Sequence, residues 1–261
     1  MPDAAESAGA VAGFIAEPGA CAQAMRPVLD LARRAARSSV NALITGESGT
    51  GKRSLARWIH AGSARRAGPV IAIGSAALRD ALLAGPGSGR ARAVFDDAAG
   101  GTLVIDELFE LSYEAQAALV QLLDEPALQP VGTAGTRVIA TTRHTGRSGR
   151  LRPDLYYAIS VIAIAVPPLR ERTEDIPALV TGFLARARGA AAGAAITDEA
   201  LAWLAAADWP GNVRELETAI ERAVALSDGG AIGIAHLAGV AGALAAPATS
   251  PDHRRRRSFP R

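Results

Sequence analysis

The chain has 261 residues, 49% of them hydrophobic and 21% charged, with a formal net charge of +2. That gives room for one large domain, or one plus a small one, and it excludes a molecule that is a polycation throughout. No apolar run reaches the roughly 18 residues of a membrane span, and the single cysteine, Cys21, excludes an intramolecular disulfide and fits a reducing, cytoplasmic setting.

Residues 1–18 are small and polar and are expected to be disordered, with no basic segment that would mark a secretory leader. From Cys21 to Arg37, Met25, Val28, Leu29 and Ala32 recur at helical spacing, with arginines in the last turn. Ala42, Leu43 and Ile44 form a short apolar strand. A glycine-rich loop follows, and after it Leu55, Trp58 and Ile59 resume a helical pattern. PVIAI (69–73) and TRVIATT (136–142) read as buried strands, and TLVI before Asp106 as another; 76–84, 112–125 and 153–159 read as helices, and 161–166 as a last strand. Gly85 to Gly89, GPGSG, reads as a tight glycine-rich link. Alternating strands and helices predict an α/β fold with a mainly parallel sheet. After Pro167 and Pro168 only helical patterns remain, at about 174–187, 197–206, 212–227 and 234–240. The expected division is a nucleotide-binding α/β domain over 19–168, a helical domain over 169–243, and a disordered basic tail over 244–261.

The loop carries the chemistry. Gly46, Glu47, Ser48, Gly49, Thr50, Gly51, Lys52, Arg53 and Ser54 lie between a strand and a helix, the context of a phosphate-binding loop. Three glycines allow backbone N–H groups to turn toward a phosphate, and the helix start adds its positive dipole end. Lys52 is the single lysine among 28 basic residues, and it stands where the outer phosphates of a nucleotide would want a point charge. Asp106 and Glu107 end the TLVI strand. Beside such a loop, the Asp suits Mg²⁺ and the Glu can orient or deprotonate an attacking water. Alone, the two acids could equally face solvent. The four histidines show no metal-ligand spacing.

Taken in order, GESGTGK, GGTLVIDEL, DLYY, VPPLRER, EDIP and WPGNVREL resemble the AAA+ ATPase domain of the sigma-54-dependent transcriptional activators, the bacterial enhancer-binding proteins. The resemblance covers about residues 20–240. It implies a five-stranded P-loop domain with a helical lid, ATP and Mg²⁺ as cofactors, a ring of self or related subunits, and a role in transcription. It implies that Gly46 to Lys52 hold the phosphates, that Asp106 is the Mg²⁺ ligand and Glu107 the water activator, and that Thr142 is the sensor I residue. Arg214 matches the lid arginine that reaches the phosphates, and Arg152 an arginine offered to the neighbouring subunit's ATP.

The departures are specific. The GAFTGA loop that touches the sigma factor has no counterpart between residues 75 and 101. Gly74 stands where the family has an Asn that couples to the strand-end Glu. Arg143 replaces the Asn after the sensor threonine, Ala158 replaces a second trans arginine, and Arg53 replaces an acid after the loop Lys. Neither a receiver domain nor a helix-turn-helix is read in the sequence. These departures lead to the expectation of an ATP-binding regulator with impaired or altered hydrolysis, acting through protein contacts. Sigma-54 contact through the usual loop and direct DNA binding are not expected. Two alternatives stand beside it: a slow ATPase remodelling another partner, and a module tethered to nucleic acid by Arg254 to Arg257.

Overall fold

A computed structural model of the chain describes residues 22–85, 88–144, 151–188 and 195–241. The expected disordered N-terminus, Cys21, most of the RGAAAGAA connector and the arginine-rich tail lie outside the described residues.

Five parallel strands form one sheet: β1 (Ala42–Thr45), β2 (Val70–Gly74), β3 (Thr102–Asp106), β4 (Arg137–Thr142) and β5 (Ile162–Ala165), in the order β2-β3-β4-β1-β5. The apolar runs of the central strands β1, β3 and β4 follow from burial on both faces. Leu103, Ile105, Val138 and Ala140 pack on one side with Phe95, Leu108, Leu119 and Leu155. Val104, Ile139, Ile44 and Ile164 pack on the other, under helices α1 (Arg26–Ala36) and α2 (Lys52–Ala61). The first face is covered by α3 (Ser75–Leu82), α4 (Arg90–Asp97), α5 (Tyr113–Leu123) and α6 (Pro153–Ile159). The hydroxyl of Ser112 caps α5 by accepting the Ala115 N–H at 3.3 Å.

Helix α4 is the main addition to the sequence reading, which assigned no element to RARAVFDD. It presents little apolar periodicity, because Phe95 is its one buried side chain. An Arg92–Asp96 pair at 2.9 Å supports its exposed face, and Gly89 enters it with left-handed backbone.

Residues beyond Pro168 build a separate core. Helices α7 (Ile176–Arg188), α8 (Asp198–Ala206), α9 (Asn212–Leu226) and α10 (Ile234–Ala241) enclose Leu169, Phe183, Trp209, Leu216 and Ile220. Trp209 is fully buried and donates from Nε1 to the Leu204 carbonyl at 2.7 Å. Thr197 caps α8 by accepting the Ala200 N–H at 3.2 Å, with Asp198 and Glu199 in the first turn where the helix dipole favours acids. Among the described residues, no helix is long and apolar enough to cross a membrane.

Candidate functional site

Strand β1 ends at Thr45 and the chain reverses through Gly46–Gly51 into α2, whose first residue is Lys52. The unsatisfied N–H groups of a helix start therefore lie at the loop. The loop is held from below by the Thr142 carbonyl, which accepts the Gly46 N–H at 3.2 Å. Lys52 curls over it: Nζ donates to the Gly46 and Glu47 carbonyls at 2.8 and 3.0 Å and lies 3.7 Å from Glu107 Oε1. Burial pulls this lysine below its usual pKa, while the Glu107 and Asp106 carboxylates pull it up.

The loop, the carboxyl ends of β3 and β4 and helix α9 enclose a cavity of about 510 Å³. Ser48, Gly49, Gly51, Lys52, Arg53 and Ser54 line it from the loop side, and Asp106, Glu107 and Arg214 from the facing elements. Most of the residues expected from the sequence are thus brought together. Five do not line the cavity: Gly46, Glu47, Thr50, Thr142 and Arg152. The Thr50 hydroxyl donates to the Glu47 carbonyl at 2.9 Å, inside the loop. Thr142 is wholly buried, and its hydroxyl accepts the His144 N–H at 3.1 Å. It is Thr141 that reaches the cavity, donating to Asp106 Oδ1 at 3.1 Å and accepting the Glu107 N–H at 3.3 Å. Arg152 does not line the cavity; its guanidinium pairs with Asp154 at 2.7 Å and lies 4.8 Å from the centroid of the Tyr113 ring. Glu47 faces the helical domain, as described below.

Glu107 takes left-handed backbone, with φ of 54°, a conformation that costs a non-glycine residue on the order of 1–2 kcal/mol and gathers at functional sites. Its Oε2 accepts the Arg143 N–H at 3.0 Å. Gly74 pairs with Asp106 in the sheet register, and a Cβ built there meets nothing within 4 Å. The space beside Asp106 is open.

Two further residues belong to the site and were not singled out from the sequence, although both sit inside motifs it displays. Arg170, in VPPLRER, and Asn212, in WPGNVREL, converge on Glu47. Asn212 also donates to the Ser48 carbonyl at 2.9 Å and accepts the Leu169 N–H at 2.7 Å. The next two residues of α9, Val213 and Arg214, donate their N–H groups to the Gly49 carbonyl at 3.0 and 3.3 Å. Gly49 allows this approach because a Cβ there would lie 2.1 Å from the Gly211 oxygen.

A five-stranded parallel sheet, a loop of this form and a helical domain seated on the loop are the parts of an AAA+ P-loop ATPase. Residues 20–165 match the sigma-54 interaction domain model, and residues 170–252 match an AAA+ ATPase lid domain. The chain belongs to the sigma-54 interaction domain family. It is 40% identical over 227 residues to the phenol regulator MopR of Acinetobacter guillouiae, covering 78% of this chain and 40% of that one. It is 40% identical over 228 residues to the transcriptional regulatory protein ZraR of Escherichia coli, covering 79% and 52%. The chain therefore spans about half the length of the curated relatives it matches. The structure of NtrX from Brucella abortus in complex with ATP matches with a TM-score of 0.70 at 29% identity, covering 87% of this chain and 57% of that one. The complex of the same protein with ADP matches at 0.66 and 31%, covering 78% and 50%. The fold extends further, to the RuvB motor of Thermotoga maritima at 18% identity and a TM-score of 0.60, covering 84% and 67%.

Within this family the site would be expected to take Mg²⁺ at Asp106. The donor set does not fit that ion. Asp106 Oδ2 accepts from Arg53 Nε at 2.7 Å and from Nη2 of the same guanidinium, and Oδ1 is taken by Thr141. The residue directly after the loop lysine, where P-loop proteins place a metal-binding hydroxyl, is Arg53 itself.

Proposed function

We propose that this chain binds ATP in the cavity between the phosphate loop and Arg214 and acts as a transcriptional regulator through contacts with other protein subunits. One observation carries the reading: the lid is fastened to the loop that would hold the phosphates, with Gly49 accepting two N–H groups of α9 while Lys52 and Arg214 line one cavity. A nucleotide in that cavity touches both domains, so its presence sets their relative position. The ATP and ADP complexes of NtrX support nucleotide as the ligand, and the regulators among the relatives support the role.

In this reading hydrolysis is weakened. Gly74 offers no side chain beside Asp106, and Asn41 Nδ2 donates to the backbone oxygen of Ala158 at 3.1 Å, where the family presents a second arginine to the neighbouring subunit. Losing an arginine finger alone costs about 10³–10⁵ in phosphoryl-transfer rate. Assembly is with copies of this chain or a related AAA+ subunit, to which Arg152, a quarter exposed beside Tyr113, is offered. The regulator role places the protein in the cytoplasm. Contact with sigma-54 through a GAFTGA loop is not part of the proposal.

A second reading, a slow ATPase acting on another partner, is favoured by one observation. Glu107 lines the cavity close to Lys52, where a water-activating carboxylate is needed. Calorimetry and phosphate release on the purified chain decide between them, with Lys52→Ala as control. Binding in the wild type, weakened at least about tenfold in Lys52→Ala, with turnover absent, is the expected result. Turnover that Glu107→Gln removes would favour the slow ATPase. A wild type that does not bind ATP overturns both.

A further inference from the structure

The pairing of Arg53 with Asp106 does more than remove a metal ligand. We propose that the Arg53 guanidinium takes the place of the divalent cation, so that this site binds ATP without Mg²⁺. The inference rests on the nucleotide-binding reading above and adds to it how the phosphate charge is met.

A divalent ion in a phosphate-loop site bridges a strand-end carboxylate and the phosphate oxygens. Arg53 is placed to make the same bridge. It sits in the first turn of α2, next to Lys52, and lines the cavity together with Asp106 and Thr141. Its Nε and Nη2 both engage Asp106 Oδ2. A guanidinium carries five N–H donors in a planar fork, so the donors not aimed at Asp106 remain for phosphate oxygens. The Arg53 side chain is 58% exposed, whereas Asp106 is 15% exposed, so the free edge of the fork faces the cavity solvent and the carboxylate is its anchor. Without a cation beside it, Asp106 would repel the incoming phosphates. With Arg53 in place the screening is covalently part of the chain and independent of the metal in solution.

The consequence is a difference in affinity. ATP binding to the full chain is measured by calorimetry in excess EDTA and again in excess Mg²⁺. The wild type is expected to show dissociation constants within about threefold of one another. Arg53→Ser frees Asp106 and introduces a hydroxyl at the position where P-loop proteins in general bind the metal; its binding is expected to be at least about tenfold tighter with Mg²⁺ than in EDTA. Because Arg53 is exposed, the variant is expected to unfold at the wild-type urea midpoint, which shows that folding is not the cause. A wild type whose binding strengthens tenfold or more with Mg²⁺ overturns the inference while leaving ATP binding intact. So does an Arg53→Ser variant as indifferent to the metal as the wild type. A wild type that binds ATP under neither condition overturns the nucleotide-binding reading itself, and this inference with it.

Discussion

The carboxylate of Glu47 and the guanidinium of Arg170 form a two-pronged pair, with Nη2 on Oε1 at 2.6 Å and Nη1 on Oε2 at 2.9 Å. This pair ties the phosphate loop to the segment that enters the helical domain. Arg170, and after it Asn212, hold the Glu47 carboxyl at about 2, below its ordinary 4.5. A folded-state pKa below the unfolded one gives stability that is present above about 4.5 and lost as pH falls toward 2. Both side chains are 44% exposed, so solvent screening limits the pair to about 1 kcal/mol or less. Glu47→Gln is expected to lose about that much at neutral pH and to match the wild type at the acid end. Urea unfolding across the acid range checks it; a difference that stays constant with pH would refute the assignment.

Gly49→Ala should separate the lid from the loop. The new methyl would lie 2.1 Å from the Gly211 oxygen, and φ of 78° is left-handed, which alone costs about 1–2 kcal/mol in a residue with a Cβ. The two domains keep their own cores, so the damage is local. Hydrogen exchange is the measurement: the Val213 and Arg214 amides lose protection, while those of β3 and β4 keep theirs.

Gly74→Asn should be accepted without loss. The backbone there is extended, with φ of −78° and ψ of 153°, a new Cβ meets nothing within 4 Å, and the residue is the N-cap of α3. Asn at an N-cap exceeds Gly by a few tenths of a kcal/mol. A denaturation midpoint equal to or slightly above the wild type is expected. A loss of more than about 1 kcal/mol would mean that the space beside Asp106 is not open.

Trp209→Ala should be the most damaging single change in the lid. The ring is fully buried, crosses Trp203 edge-on at 6.5 Å between centroids, and satisfies the Leu204 carbonyl. Truncation of a buried tryptophan costs about 3–5 kcal/mol. Trp209→Phe, which keeps most of the volume but strands the carbonyl, should cost about 1–3 kcal/mol. Equilibrium unfolding measures both, and a Trp209→Phe loss close to zero would show that the hydrogen bond contributes nothing.

The centre of the sheet was legible because β1, β3 and β4 are buried on both sides. Leu103 and Ile105 face one core and Val104 the other, so an unbroken apolar run was the right signal. The loop was legible because its residues are consecutive. What escaped depends on distance or on register. Thr141 and Thr142 are indistinguishable as neighbours; the alignment of β4 with β3, Ile105 opposite Ala140, puts the first of them next to Asp106. Arg170 and Asn212 lie 123 and 165 residues from Glu47, beyond any local pattern. Arg53 and Asp106 were both named from the sequence, but their pairing follows only once β3 is seen to end beside α2.

The seating of α9 on the Gly49 carbonyl has a consequence for dissecting the molecule. Hydrophobic burial divides the chain near Pro168, and a fragment cut there would keep every strand of its sheet. It would also strip the loop of Asn212, Val213, Arg214 and Arg170, leaving the Gly49 and Ser48 oxygens and the Glu47 carboxylate to water. Such a fragment would be a faithful specimen of the sheet and a poor one of the loop. A ligand assay on it would report on a different receptor from the one the intact polypeptide carries.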